Sequence, residues 1–280
     1  MHETTLAFGS DGGLIGTVCV PDGGASADFG LVLFNAGVVH RVGPHRTHVK
    51  LAREMARHGV ASIRFDLHGM GDSQRSSGEL GHAEQVVADL RQAMDELQRL
   101  SGASRFTLLG FCSGVPQSRD AALADSRVGH VILYDGFNVP TRRARMRYLL
   151  QRLKAHGLGI DAVRLWMRRF AEYVAHGLRR RPAGEDGQAA QPGVRELSAA
   201  LRGLRERGVQ VSVLHSGADF SAVNYPGQAA EFFGSRVSGL RFGFLADEDH
   251  VLTSRQAQRR YLDWMLAALL PGGDAGGPSR

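Results

Sequence analysis

Short apolar runs alternate along this chain with longer amphipathic stretches. Residues 14–20 alternate with the period of a strand, and residues 29–34 (FGLVLF) form an unbroken apolar run, as a strand buried on both faces would. Further short runs lie at 62–65, 106–109, 131–134, 209–214 and 240–244. Helical patterning separates them, at 48–58, 83–100, 117–124, 228–233 and 256–270. Strands and helices in alternation predict an α/β chain with a mostly parallel sheet covered on both faces.

The rhythm breaks between 142 and 208, where no strand pattern appears. Residues 143–156 read as a helix, and Ile160, Val163, Met167, Phe170 and Val174 recur at helical spacing. The Gly-, Pro-, Ala- and Gln-rich stretch 182–193 reads as a loop. The expected organisation is a core from 1–140 and 209–270, a helical lid at 141–208, and a disordered tail at 271–280.

Composition narrows the class. With 43% hydrophobic and 22% charged residues, the 280-residue chain can bury a core, which excludes disorder, collagen and coiled coil. No stretch approaches the roughly 20 apolar residues needed to span a bilayer. Residues 1–11 lack an export-signal pattern, and two cysteines are too few for a disulfide framework, so a cytoplasmic location is expected. The net charge of +6 is concentrated: residues 141–182 carry +10, leaving the remainder at −4.

The chemistry-bearing stretch is Phe106-Thr107-Leu108-Leu109-Gly110-Phe111-Cys112-Ser113-Gly114. An apolar strand runs into Gly-x-Cys-x-Gly and then a helix, matching the nucleophile elbow Gly-x-Ser-x-Gly with cysteine at its centre. The spacing of the glycines centres on Cys112 and not on Ser113. The helix N-terminus behind the turn favours a thiolate. Cys19, in an early strand with no turn or base nearby, reads as core packing.

Here the chain resembles the α/β-hydrolases, specifically members with a cysteine nucleophile such as dienelactone hydrolases. Arg64-Phe65-Asp66-Leu67-His68-Gly69-Met70-Gly71-Asp72-Ser73 is similar to that family's Asp-x-x-Gly-x-Gly-x-Ser loop, and Arg41 to Arg46 resembles a loop of hydrolases associated with exosortase systems. The resemblance implies an α/β-hydrolase fold and the order nucleophile, acid, histidine. His250, in Asp247-Glu248-Asp249-His250, stands where the family's histidine lies. Asp219, after the 209–214 strand, is the preferred acid, with Asp135 as competitor; Asp247 and Asp249 lie too near His250. The oxyanion donors implied are the backbone amides of Ser113 and Gly37, with Val38 as the alternative to Gly37. Asn35-Ala36 replaces the family's usual His-Gly opening there.

Three histidines, His40, His45 and His48, follow that loop, but no carboxylate or cysteine completes a ligand set at the expected spacing. No metal and no cofactor is expected. Val38, His40, Trp166 and Phe170 are the candidate substrate-binding residues. The expected activity is acyl transfer through an acyl-cysteine, as an esterase or thioesterase, with acyltransferase or cyclase chemistry and a non-catalytic binder as alternatives. The expected substrate is a small acyl compound, on coenzyme A or an acyl carrier protein if the arginine-rich lid reads anions. A solvated arginine-rich face is the plainer reading of that lid. Neither a nucleic-acid partner nor a membrane is expected, since the remaining chain is acidic and lacks a recognition motif.

Overall fold

The computed structural model describes residues 1–76, 78–156, 194–218 and 223–270. Among them eight strands form one sheet: β1 (His2–Phe8), β2 (Leu14–Val20), β3 (Phe29–Phe34), β4 (Ser62–Asp66), β5 (Arg105–Phe111), β6 (Val128–Tyr134), β7 (Gln210–Ser216) and β8 (Arg241–Leu245). Their order across the sheet is β1-β2-β4-β3-β5-β6-β7-β8. β1 and β2 are antiparallel to each other, and β2 is antiparallel to β4; the other pairings are parallel.

The described helices are α1 (Thr47–Arg57), α2 (His82–Ser101), α3 (Gly114–Ala124), α4 (Arg142–His156), α5 (Val194–Glu206), α6 (Gln228–Phe233) and α7 (Arg255–Leu269). They cover the sheet on both faces, and the period-2 alternation of each strand sorts its side chains between two cores. Leu31 and Leu33 of β3, Leu109 of β5 and Ile132 of β6 meet Leu51 and Met55 of α1 and Tyr261 and Met265 of α7. Val32, Leu108, Val131 and Leu133 face the other way, onto Leu90 and Met94 of α2, Ala121 and Ala122 of α3, and Leu201 and Leu204 of α5. The buried positions Ala257, Tyr261, Met265 and Leu269 recur every four residues, so α7 presents one continuous stripe.

The seven strands expected from apolar patterning are all present, within a few residues at their ends. β1 was not legible: in HETTLAF only Phe8 is buried, because the strand lies at the sheet edge. Glu3 ties this edge down through ion pairs to Arg53 (2.6 Å) and Arg64 (2.9 Å). Cys19 is fully buried, as core packing requires, and burial pushes its thiol up. No described helix is long and apolar enough to cross a membrane.

α4 and α5 lie between β6 and β7, where an insertion was expected. The amphipathic helix read around 160–174, the loop at 182–193 and the tail at 271–280 lie outside the described residues. The chain leaves β3 for β4 on one side and later returns to β5 on the other. The carboxyl ends of β3 and β5 therefore face a shared crevice, where open α/β sheets hold their ligands.

Candidate active site

Cys112 follows β5 directly, with a left-handed backbone (φ 53°). Its N–H donates to the Tyr134 carbonyl at 2.8 Å, so the ladder between β5 and β6 runs one rung beyond the strand while the chain reverses into α3. That reversal requires the flanking glycines. A Cβ on Gly110 would come within 2.7 Å of the Gly114 carbonyl oxygen, and one on Gly114 within 3.2 Å of the Phe34 ring.

His250 Nδ1 lies 3.0 Å from Asp135 Oδ2, and Cys112 is the other group acting on the ring. Of the two candidate carboxylates, the one meeting His250 is therefore Asp135. Asp219, the acid preferred from the sequence, lies outside the described residues. The physical reason for the place of Asp135 is strand order. β6 sits directly beside β5, so a residue just past β6 lands next to the elbow. Asp135 is itself left-handed (φ 50°), and its N–H donates to the Leu214 carbonyl at 3.1 Å.

The orienting shell continues outward from Asp135. Ser216, at the end of β7, donates its backbone N–H to Asp135 Oδ1 at 2.8 Å and its hydroxyl to Oδ2. Sequence reasoning missed Ser216, because only the β6–β7 register brings it beside Asp135. Tyr134 lies parallel to the His250 ring at 6.0 Å between centroids and donates its hydroxyl to the His250 carbonyl at 3.1 Å. The neighbouring Asp249 accepts from Val251 N–H (3.0 Å) and Thr253 N–H (3.1 Å), shaping the loop that carries His250.

Cys112 and His250 are shifted in opposite directions, the thiol down and the imidazole up. The hydrogen bonds that the ring donates, to Asp135 first and then to Cys112, push His250 up to about 10, against its desolvation. The hydrogen bond from His250 pulls the Cys112 thiol below its ordinary range, against burial, and the Ser113 N–H adds to it. Burial raises Asp135, yet the bonds from His250 and Ser216 outweigh it and keep the carboxyl low.

The loop after β3 turns sharply, with Val39 N–H on the Ala36 carbonyl at 3.0 Å. Gly37 sits there at φ 57°, and its N–H points to the elbow, donating to Ser113 Oγ at 2.6 Å. Of the two expected amides, the Ser113 N–H acts on Cys112 directly, and the Gly37 N–H reaches the side chain of that same Ser113. Val38 is 95% exposed at the tip.

A buried carboxylate holds this loop. Asp66, fully buried at the end of β4, accepts from Asn35 Nδ2 (2.8 Å), from Arg41 N–H (2.7 Å) and from the Arg41 guanidinium. Asn35 in turn accepts from Leu67 N–H at 2.6 Å. His40 Nε2 lies 3.2 Å from Asp72, which also pairs with Arg41 at 2.7 Å. His40, Asp66 and Asp72 present ligand atoms within 4.8 Å of one another, and the Arg41 guanidinium balances both carboxylates. His48 is buried against Phe111, and desolvation pulls it down to about 4. The three histidines of this stretch therefore do not converge. Trp166 and Phe170 lie outside the described residues.

Known proteins share this architecture. The chain is similar over 97% of its length to a proline iminopeptidase-related protein of Thermus thermophilus (19% identity, 99% of that chain, TM-score 0.56). It is similar over 96% to an alpha-beta serine hydrolase homologue of Coxiella burnetii (13% identity, 97% of that chain, TM-score 0.58). The fold is the α/β-hydrolase fold. A dienelactone hydrolase-like structure from Klebsiella pneumoniae shares it over 95% of this chain and 97% of its own (15% identity, TM-score 0.56). The model of the serine aminopeptidase family, S33, matches residues 36–134, spanning the β3 loop, the elbow and β6. The Coxiella burnetii protein is described as a serine hydrolase homologue and the family model as a serine aminopeptidase, whereas the elbow here centres on Cys112. No curated protein matches the chain by sequence.

Proposed function

We propose that this α/β-hydrolase-fold protein is an enzyme that transfers acyl groups through a covalent acyl-Cys112 intermediate, acting as an esterase or thioesterase. The observation that carries the reading is Asp135 at 3.0 Å from the His250 ring beside a left-handed elbow centred on Cys112, with the Gly37 N–H donating to the next residue, Ser113.

In the proposed sequence, the Cys112 thiolate attacks the substrate carbonyl carbon and a C–S bond forms. The carbonyl electron pair moves onto oxygen, where the Gly37 and Ser113 N–H groups donate to the oxyanion. The intermediate collapses by breaking the bond to the leaving thiolate or alkoxide, which takes the proton of the His250 imidazolium. The acceptor then gives its proton to the neutral His250 ring and attacks the thioester. Collapse of the second oxyanion expels the Cys112 thiolate and restores the ion pair. Asp135 holds the ring orientation and stabilises the imidazolium throughout.

The cysteine itself supports a second reading, in which the acceptor is a hydroxyl, amine or carbanion in place of water. A thiolate exchanges with a thioester donor at little energetic cost, and the resulting acyl-enzyme stays reactive toward nitrogen and carbon nucleophiles.

Intact-protein mass spectrometry after mixing with acyl-N-acetylcysteamine thioesters tests both readings. An acyl adduct on the wild type and none on Cys112→Ala is expected, and its decay with water against added amines separates hydrolysis from transfer. Equal labelling of both proteins would remove Cys112 as the nucleophile.

A further inference from the structure

α4 has two unlike faces. Its inner side is held at the first turn: Thr141 Oγ1 accepts the Ala144 N–H at 3.1 Å, Asn224 Nδ2 donates to the Ala144 carbonyl at 3.0 Å, and Ala144 is buried. Arg143 and Arg147, on the same side, lie over the Tyr225 ring at 4.6 and 5.8 Å. The opposite side carries Arg142, Arg145, Met146 and Leu149 at spacings of three and four, with Leu150 beside them. All five are exposed, Met146 at 58% and Leu150 at 50%. The whole helix holds six cationic side chains and no carboxylate. An apolar ridge set among guanidinium groups is matched by an acidic surface that itself carries apolar side chains.

The position of α4 relates this face to the reacting centre. Arg142 lies only seven positions beyond Asp135, which is bonded to His250, a reach of at most about 25 Å. A partner seated on α4 could thus deliver a flexible arm to Cys112.

We propose that the outer face of α4 is a docking surface for an acidic carrier protein that presents the acyl group as a thioester on its phosphopantetheine arm. The proposal rests on the acyl-Cys112 reading and names the form in which the substrate arrives. Docking makes delivery effectively intramolecular, so kcat/KM for the carried acyl group exceeds that for the same group on a small thiol.

The test compares octanoyl loaded on an acidic acyl carrier protein with octanoyl-N-acetylcysteamine, using the full chain and following acylation of Cys112. In the wild type the carrier-borne substrate is expected to react with at least tenfold higher kcat/KM, an advantage lost between 50 and 500 mM salt. Arg142→Glu/Arg145→Glu, and separately Met146→Ser, should reduce the carrier-to-small-thioester ratio tenfold or more. The ratio cancels losses from misfolding, which lower both rates. Equal rates from the two donors in the wild type, or a ratio the variants leave unchanged, would overturn docking while the acyl-cysteine reading stands. Acylation by neither donor would remove that reading, and docking with it. Binding of α4 to anionic vesicles or duplex nucleic acid without any carrier advantage would assign the face to another polyanion and overturn the proposal.

Discussion

The Gly37 N–H donates to the Ser113 hydroxyl at 2.6 Å, across the mouth of the elbow. The amide thus finds an acceptor within the protein where a substrate oxygen is proposed to bind. Ser113 is also the residue that a search for serine nucleophiles would select. Ser113→Ala is expected to keep acyl transfer within about fivefold of wild type, the scale of one net hydrogen bond of about 1 kcal/mol. Steady-state kinetics on a p-nitrophenyl ester measure this. A loss of several orders of magnitude with the adduct abolished would move the nucleophile to Ser113.

Replacing Asp135 should disarm His250 without dismantling the elbow. Asp135→Asn keeps the shape but removes the charge that holds the imidazolium, and kcat should fall by about 10²- to 10⁴-fold. The same substitution should bring His250 down from about 10, visible in its ring proton shifts during an NMR titration. Asp219→Asn in parallel should leave both readouts near wild type.

The ion pair fixes the pH dependence. Cys112 is pulled below the ordinary thiol range by His250, so the thiolate forms at lower pH than in a free cysteine. His250 is pushed up to about 10 and keeps its proton until the medium passes that value. Alkylation by iodoacetamide should therefore set in at lower pH than for a free cysteine, and His250→Ala should move its onset up toward the ordinary thiol range. Acyl transfer should fall as pH rises through about 10, where the proton destined for the leaving group is lost. A wild-type alkylation profile identical to that of His250→Ala would contradict the pair.

Arg41 carries a structural load. Its guanidinium is the cationic partner of the fully buried Asp66, and Arg41→Ala would leave that carboxylate without a counter-charge. A destabilisation of about 3–5 kcal/mol is expected, read as a lower denaturant midpoint. Arg41→Ala/Asp66→Asn should recover part of it, since the second change removes the buried charge.

Much of this architecture was legible because burial on both faces leaves a strand uniformly apolar. β3 and β5 announce themselves, and Gly110, Cys112 and Gly114 mark the elbow between them. β1 did not, because an edge strand can satisfy its pairing with exposed His, Glu and Thr side chains. The acid was ambiguous for a topological reason. Asp135 and Asp219 both follow a strand and both precede His250 in the chain, so linear order does not rank them; the contact of Asp135 with His250 comes from the fold. Ser216 and Arg41 were invisible for a related reason, since their partners lie 81 and 25 residues away.

The left-handed backbone at Cys112 has an evolutionary corollary. A non-glycine residue held there costs on the order of 1–3 kcal/mol, sustained by the surrounding sheet and helix. Glycine would adopt the same turn without that cost. The inert variant Cys112→Gly should thus be among the easiest gains in stability open to this chain, and selection for robustness alone would drift toward it. A side chain at that φ carries a folding cost that glycine would not, and the proposed role of the sulfur is what would offset it.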